Sequence, residues 1–418
     1  MRQTLFVIPE EAGGVPLLGV GILLAIWAVV SIVLLAWLVK RQGMSADTLG
    51  YLPLLGTIGL VIWLVPRVFP GGLPIRGYGV MLLLAGVSGV ALSVYRARRV
   101  GLSSEIVVAL AFWLFIAGIV GARLFHVIEY WETQYRSDTL AETLRQVINI
   151  PQGGLVVYGS LIGAVVAFAL FVRRHKLPAL ALADLVAPSL ALGLAIGRIG
   201  CLLNGCCFGG YCELPWAVTF PADSPPYESQ MVRGSAYGFQ LQSAAEGPPE
   251  IAMILPGSPA ERAGLKPGER LTRVEQMEVQ TSGQAQFLIA QRLREGGSLT
   301  VATAGGGSHT LAAALPARSL PVHPTQIYSA INAALLCLFL WAYYPFRQHE
   351  GEVTALMLSI YPVTRFLLEI IRVDESAVFQ TGLSISQNVS LLMLVAVVPL
   401  WWYVLRRPAQ LVFSPSAK

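Results

Sequence analysis

Residues 181–203 read ALADLVAPSLALGLAIGRIGCLL, an apolar run long enough to cross a bilayer core of about 30 Å, with an arginine, Arg198, near its end. Eight more stretches are of membrane length or nearly so, at about 15–39, 50–66, 78–95, 104–128, 154–172, 324–344, 351–371 and 384–405. The composition agrees. Of 418 residues, 55% are hydrophobic and 13% charged, and the mean hydropathy is +0.63. A soluble domain carries about 25% charged residues. The expected fold is an all-α polytopic membrane protein of about nine transmembrane helices. The net charge of +5 is gathered in short clusters beside apolar runs. A nucleic-acid surface needs a continuous basic face, so nucleic acid is not an expected partner.

Those clusters orient the chain. Lys40-Arg41, Arg96/Arg98/Arg99, Arg173-Arg174/Lys176, Arg347 and Arg406-Arg407 follow the first, third, fifth, seventh and ninth runs, and so share one side. The positive-inside rule makes that side the cytoplasm. The N-terminus and the stretch between the sixth and seventh runs then lie outside, and the C-terminus inside. The first run is long enough to span and shows no obvious cleavage site, so a cleaved leader is not expected.

Between about Asp223 and Arg318 the chain turns polar, charged and rich in glycine and proline. Ile251–Leu255 reads as a strand, Pro256–Leu265 as a turn and short helix, and Arg270–Val274 as a half-buried strand. Gln284–Arg294 has helical periodicity and Ser298–Ala302 reads as a final strand. This order, and the string PGSPAERAGLKPGERLTRV, resembles a bacterial PDZ domain, an α+β fold. The resemblance implies a carboxylate-binding loop at Tyr237–Leu241, with Gly238, Phe239 and Leu241 receiving an extended peptide that adds a strand to the sheet edge. A spacer domain that binds nothing is the alternative. The expected division is two extra helices in 1–70, a membrane core in 71–221 and 319–418, and the insert in 222–318.

Four strings at the membrane edge carry the chemistry: Pro74–Val80, Gly153–Gly163, Gly197–Gly209 and Arg365–Asp374. An arginine at membrane depth costs about 2.5–3.5 kcal/mol on insertion scales, so Arg198 and Arg365 require anionic partners. Glu369, four residues after Arg365, can pair with it on one helix face; Arg198 has no local acid. Two guanidiniums among glycines form a pocket suited to a phospholipid phosphate, which they bind bidentately. The bland alternative is one arginine snorkelling to headgroups and one structural ion pair.

These strings are similar to the signatures of the prolipoprotein diacylglyceryl transferase family. Gly121–Leu124, Pro215–Pro221, His323–Tyr328 and Gln387 fit as well. The similarity runs from about Pro74 to the C-terminus, with the insert separating two strings that lie close together in the family. It implies transfer of the diacylglyceryl group of phosphatidylglycerol to the lipobox cysteine of a prolipoprotein, in the bacterial inner membrane and without a cofactor. It also implies that Arg198 and Arg365 clamp the phosphate, while Tyr78, Asn204, Gly209, His323, Gln326, Glu369 and Arg372 line the headgroup site. Tyr158 stands where the family has a catalytic histidine, and Cys201 and Cys206 stand where it usually has Asn and Glu. A phenol titrates near pH 10 and imidazole near 6.5, so Tyr158 is a weaker base. A lipid-binding paralogue with another acceptor is the alternative.

Cys201, Cys206, Cys207 and Cys212 lie within twelve residues. On an oxidising face they suggest local disulfides or packing, then a reactive thiol. A metal ranks last and none is expected, because CxxC pairs are lacking.

Overall fold

Among the described residues, nine long helices fall on the nine apolar runs of this computed structural model. The described residues are 3–43, 46–137, 139–149, 153–242, 247–373, 377–378, 381–409 and 411–413. Asp374, part of one quoted string, lies outside them. The chain divides into two units, residues 1–81 and 82–418.

In the first unit, strand β1 (Thr4–Ile8) pairs antiparallel with β4 (Leu73–Arg76), and β2 (Glu11–Ala12) with β3 (Val15–Pro16). The first helix, α1 (Ile22–Gln42), therefore starts later than the hydrophobic run does: Val15–Pro16 are spent in a hairpin and Gly19 turns the chain at φ +68°. Helix α2 (Ala46–Val68) packs on α1, where the Trp27 indole donates to the Leu55 carbonyl at 3.2 Å. Within α2, Leu55–Val68 is an apolar stretch shorter than a span. Strand β4 runs straight into α3 (Gly77–Arg99), and Tyr78 stands in its first turn, 40% exposed.

The second unit holds α4 (Ser104–Glu129), α5 (Leu140–Ile148), α6 (Val157–His175) and α7 (Ala179–Asn204). It then holds the insert, α11 (Thr325–Tyr343), α12 (Glu352–Ile371) and α13 (Ile385–Leu405). Helix α4 meets α6 backbone to backbone. A Cβ on Gly121 would stand 2.4 Å from the Gly159 carbonyl oxygen, and one on Gly163 2.2 Å from that of Ala117. In lipid, where apolar side chains gain little by leaving the tails, such small-residue contacts hold helices together. Helix α5 exposes Leu140, Leu144 and Ile148 along one face, the pattern of a helix lying in the membrane interface.

Helix α7 packs on α11 and α12, and α12 on α13. At one end of this group, buried Asp184 of α7 accepts from Gly351 N (2.6 Å), Thr354 N (2.8 Å) and Thr354 Oγ1 (2.7 Å), capping α12 across a helix interface. Arg96 donates to the Leu185 carbonyl, and Arg96 and Arg347 lie 4.2 and 3.7 Å from the Tyr344 ring centroid. At the opposite end stand the Cys201–Cys207 segment, the start of α11 and the end of α12.

The insert builds its own core around Tyr237, Phe239, Ile251, Leu271, Ile289 and Leu299. Its helices are α8 (Pro225–Val232), α9 (Pro259–Arg262) and α10 (Ser282–Glu295). Its strands are β5 (Phe239–Gln242), β6 (Glu250–Ile254), β7 (Leu271–Val274), β8 (Met277–Glu278), β9 (Leu299–Thr303) and β10 (Ser308–Leu311). β5 pairs with β6, and the others form a sheet in the order β10-β9-β7-β8. The ends of the insert are adjacent: Ser319 N donates to Phe220 O at 2.8 Å, and Pro221 bridges Arg318.

Candidate active site

Arg198 and Arg365 both line one open-sided cleft between α7, α11 and α12, together with Ser329, Asn332 and Tyr361. Each arginine sits six residues before the end of its helix, 198 against 204 and 365 against 371. At 1.5 Å per residue this is a depth of about 9 Å. Arg365 is fixed by an ion pair to Glu369 and a 2.8 Å hydrogen bond to Ser386 Oγ. Arg372 donates to the same Glu369 oxygen at 3.0 Å. One carboxylate thus serves two guanidiniums, and Arg198 adds a third positive charge, whose electrostatic neighbours include Cys207, Tyr361, Cys201 and Arg372. The local balance is positive. An anion entering the cleft meets the Arg365 guanidinium already oriented and the Arg198 charge beside it, which suits a phosphate site.

The wall of the site is a knot of three chain segments. Gly209 N donates to His323 O (3.0 Å), His323 N to Gly210 O (3.0 Å) and Gly210 N to Ile371 O (2.9 Å). Gly209 tolerates no side chain, since its Cβ would lie 2.6 Å from His323 Cβ and 2.9 Å from Thr325 Cγ2. Gln326 Nε2 donates to Cys206 O at 2.8 Å, and Thr325 Oγ1 to Cys207 O at 2.6 Å. His323 meets Tyr328 Oη at 3.4 Å, and the Trp216 indole donates to that oxygen at 2.7 Å. Asn204 hydrogen-bonds the Cys206 thiol. The Cys207 thiol is held far below the usual thiol range, first by hydrogen bonds from Cys201 and Cys206, then by the charges of Arg372 and Arg198.

The structure therefore brings together Arg198, Arg365, Glu369, Arg372, Asn204, Gly209, His323, Gln326 and the three cysteines 201, 206 and 207. Tyr158 is not among the residues that line the cleft. It lies half-buried in the first turn of α6, which packs on α4, and its hydroxyl forms no hydrogen bond among the described residues. Cys212 is buried and accepts from Leu214 N at 3.4 Å, and all five cysteines are unbridged, which leaves packing or a reactive thiol of the readings weighed from sequence. In the insert, Gly238 takes φ +94°, but Phe239 and Leu241 are core residues, 0% and 3% exposed. Their amides donate to Gly234 O (3.3 Å) and Arg233 O (3.0 Å), so residues of this chain occupy the free edge of β5.

Ser386, Tyr361 and Asn332 were not singled out from sequence. Polar residues inside apolar runs were the available signal. Arg123, recognised only as part of a string, donates to the carbonyls of Gln146 (2.6 Å), Val147 (2.8 Å), Asn149 (3.1 Å), Gly153 (2.7 Å) and Gly154 (3.0 Å). It shapes the approach to α6.

A family model described as prolipoprotein diacylglyceryl transferase matches residues 66–403. The chain belongs to that family. It is a polytopic membrane transferase. It is 35% identical to the phosphatidylglycerol–prolipoprotein diacylglyceryl transferase of Rhodopirellula baltica, over 95% of this chain and 88% of that protein. Proteins of the same name from Synechococcus elongatus and Trichormus variabilis are 39% and 38% identical, each over 37% of this chain and 52% and 53% of their own lengths. The short matches span only about half of those two relatives.

Proposed function

We propose that this chain transfers the diacylglyceryl group of phosphatidylglycerol to the cysteine thiol of a prolipoprotein lipobox. The observation that carries the reading is the pairing of Arg198 and Arg365 in one cleft, with Arg365 pre-set by Glu369 and Ser386. The acceptor sulfur bonds to the glyceryl carbon that bears the phosphate ester. The carbon–oxygen bond breaks and its electron pair leaves on glycerol phosphate. The Arg365 guanidinium, held in place beforehand, and Arg198 stabilise the charge that grows on the leaving phosphate. The remaining requirement is to ionise the thiol.

The basic residues ending α3 and α6, and Arg406-Arg407 just after α13, support an orientation with those ends in the cytoplasm, and with the cleft and insert outside. For the insert the proposal is capture of an extended peptide at the β5 edge. Residues 230–234 cover that edge, so capture requires their displacement. A strain depleted of its own diacylglyceryl transferase tests the function: expression of this chain should restore lipidation of a reporter lipoprotein, and the Arg198→Ala form should not. Equal rescue by Arg198→Ala would remove the phosphate clamp.

A further inference from the structure

Cys201, Cys206 and Cys207 bring their sulfur atoms within 4.8 Å of one another at the end of α7, all three half-buried. No disulfide joins any two of them. Backbone geometry makes the cluster. Gly205 (φ +79°) and Cys207 (φ +59°) both take the left-handed conformation, which folds the chain back until residues 206 and 207 face residue 201. For a cysteine that conformation costs on the order of 1 kcal/mol. The loop is held in it by Thr325 Oγ1 on Cys207 O and Gln326 Nε2 on Cys206 O. A disulfide uses two sulfurs; a thiophilic ion uses three or four.

We propose that Cys201, Cys206 and Cys207 are three ligands of a zinc ion whose fourth position is open, and that the acceptor thiol binds there as its thiolate. This rests on the transferase reading above and supplies what that reading leaves unassigned, the ionisation of the thiol. A tetrahedral zinc with Zn–S of about 2.3 Å sets sulfurs about 3.8 Å apart, so the three side chains need to close by at most about 1 Å. An all-sulfur set selects zinc or copper(I) over hard cations. Copper(I) is satisfied by three thiolates, whereas zinc takes a fourth ligand. Three thiolates on Zn²⁺ carry one net negative charge and the acceptor thiolate makes it two, matched by the neighbouring Arg198 and Arg372. A thiol that coordinates zinc gives its proton to water. Its sulfur then bonds to the glyceryl carbon as the carbon–oxygen bond to phosphate breaks, and zinc stays divalent throughout.

The test uses the full chain purified without a metal-binding tag or reductant. Elemental analysis after equilibration with zinc should find about one zinc per chain, and the Cys206→Ser and Cys207→Ser forms should hold at least about tenfold less. Cys212→Ser should hold as much as the wild type. Cobalt(II) in place of zinc gives a thiolate charge-transfer band, which should change when a lipobox peptide is added and not when its Ser analogue is. This reading uses the wild-type protein, so it stands even if a variant fails to fold. Absence of bound zinc, stoichiometric copper instead, a disulfide within the cluster, or a cobalt band indifferent to the thiol peptide each overturns the proposal. So does full transferase activity in zinc-free protein, which leaves the transferase reading intact. Zinc binding without any transfer from phosphatidylglycerol would instead remove the transferase reading.

Discussion

Arg198 is visible in sequence because an unpaired cation in an apolar run has no cheap explanation, and Arg365 with Glu369 because four residues make one helical turn. What the sequence does not display is who meets whom across the bundle. Arg198 shares its cleft with Arg365, a residue of another helix, and no local spacing encodes that. The cysteines show the same limit, since the absence of CxxC pairs argues against a cluster until two left-handed residues fold 206 and 207 back upon 201. Two outcomes follow for single residues. Arg365→Lys keeps the charge but loses the planar fork that spans Glu369 and Ser386, so transfer should fall by about tenfold to a hundredfold while the protein stays folded. Kinetics in detergent with a lipobox peptide measure it, and a wild-type rate would show that the bidentate geometry is idle. Tyr158→Phe should retain transfer at neutral pH within about threefold, because nothing ties its hydroxyl to the arginines. A loss of about a hundredfold or more would assign the thiol proton to that phenol.

Helices were legible wherever apolar runs were uninterrupted, and their ends less so. The hairpin Glu11–Pro16 takes the start of the first run, because a short β-pair leaves too few residues for a periodic signal. Helix α5 hides for a similar reason: nine residues with three exposed leucine or isoleucine side chains make no span. The glycine spacing Gly159…Gly163 was quoted as part of a motif, and its physical meaning is the backbone contact between α4 and α6. Gly163→Leu should therefore separate these helices, lowering thermal stability in detergent by about 1–3 kcal/mol or more. A melting temperature equal to wild type would mean that the contact carries no stability. Asp184→Ala should act at the other end of the bundle. It strands the Gly351 and Thr354 amides at the start of α12, at about 1–3 kcal/mol, and transfer should fall only as far as folded protein does.

At the scale of the whole molecule, composition disclosed a membrane protein and a polar insertion, and β6, α9, β7, α10 and β9 of the insert fall where periodicity places them, while α8, β5, β8 and β10 carry no such signal. Its occupied β5 edge was not legible, because the covering residues 230–234 carry no motif. The insert leaves and rejoins the membrane core at one place, through Phe220 and Ser319. Replacing residues 222–317 by a short turn should thus preserve transfer to a short lipobox peptide in detergent, while weakening use of a full-length prolipoprotein if the insert recruits it. The central claim is the chemistry in the cleft between α7 and α12. It is tested most directly by incubating the purified chain with phosphatidylglycerol and a lipobox peptide and weighing the peptide by mass spectrometry. The account predicts a gain of one diacylglyceryl group with release of glycerol phosphate, no gain on the peptide whose cysteine is serine, and no gain with Arg198→Ala. An unmodified peptide with wild-type protein, or equal modification by Arg198→Ala, would contradict it.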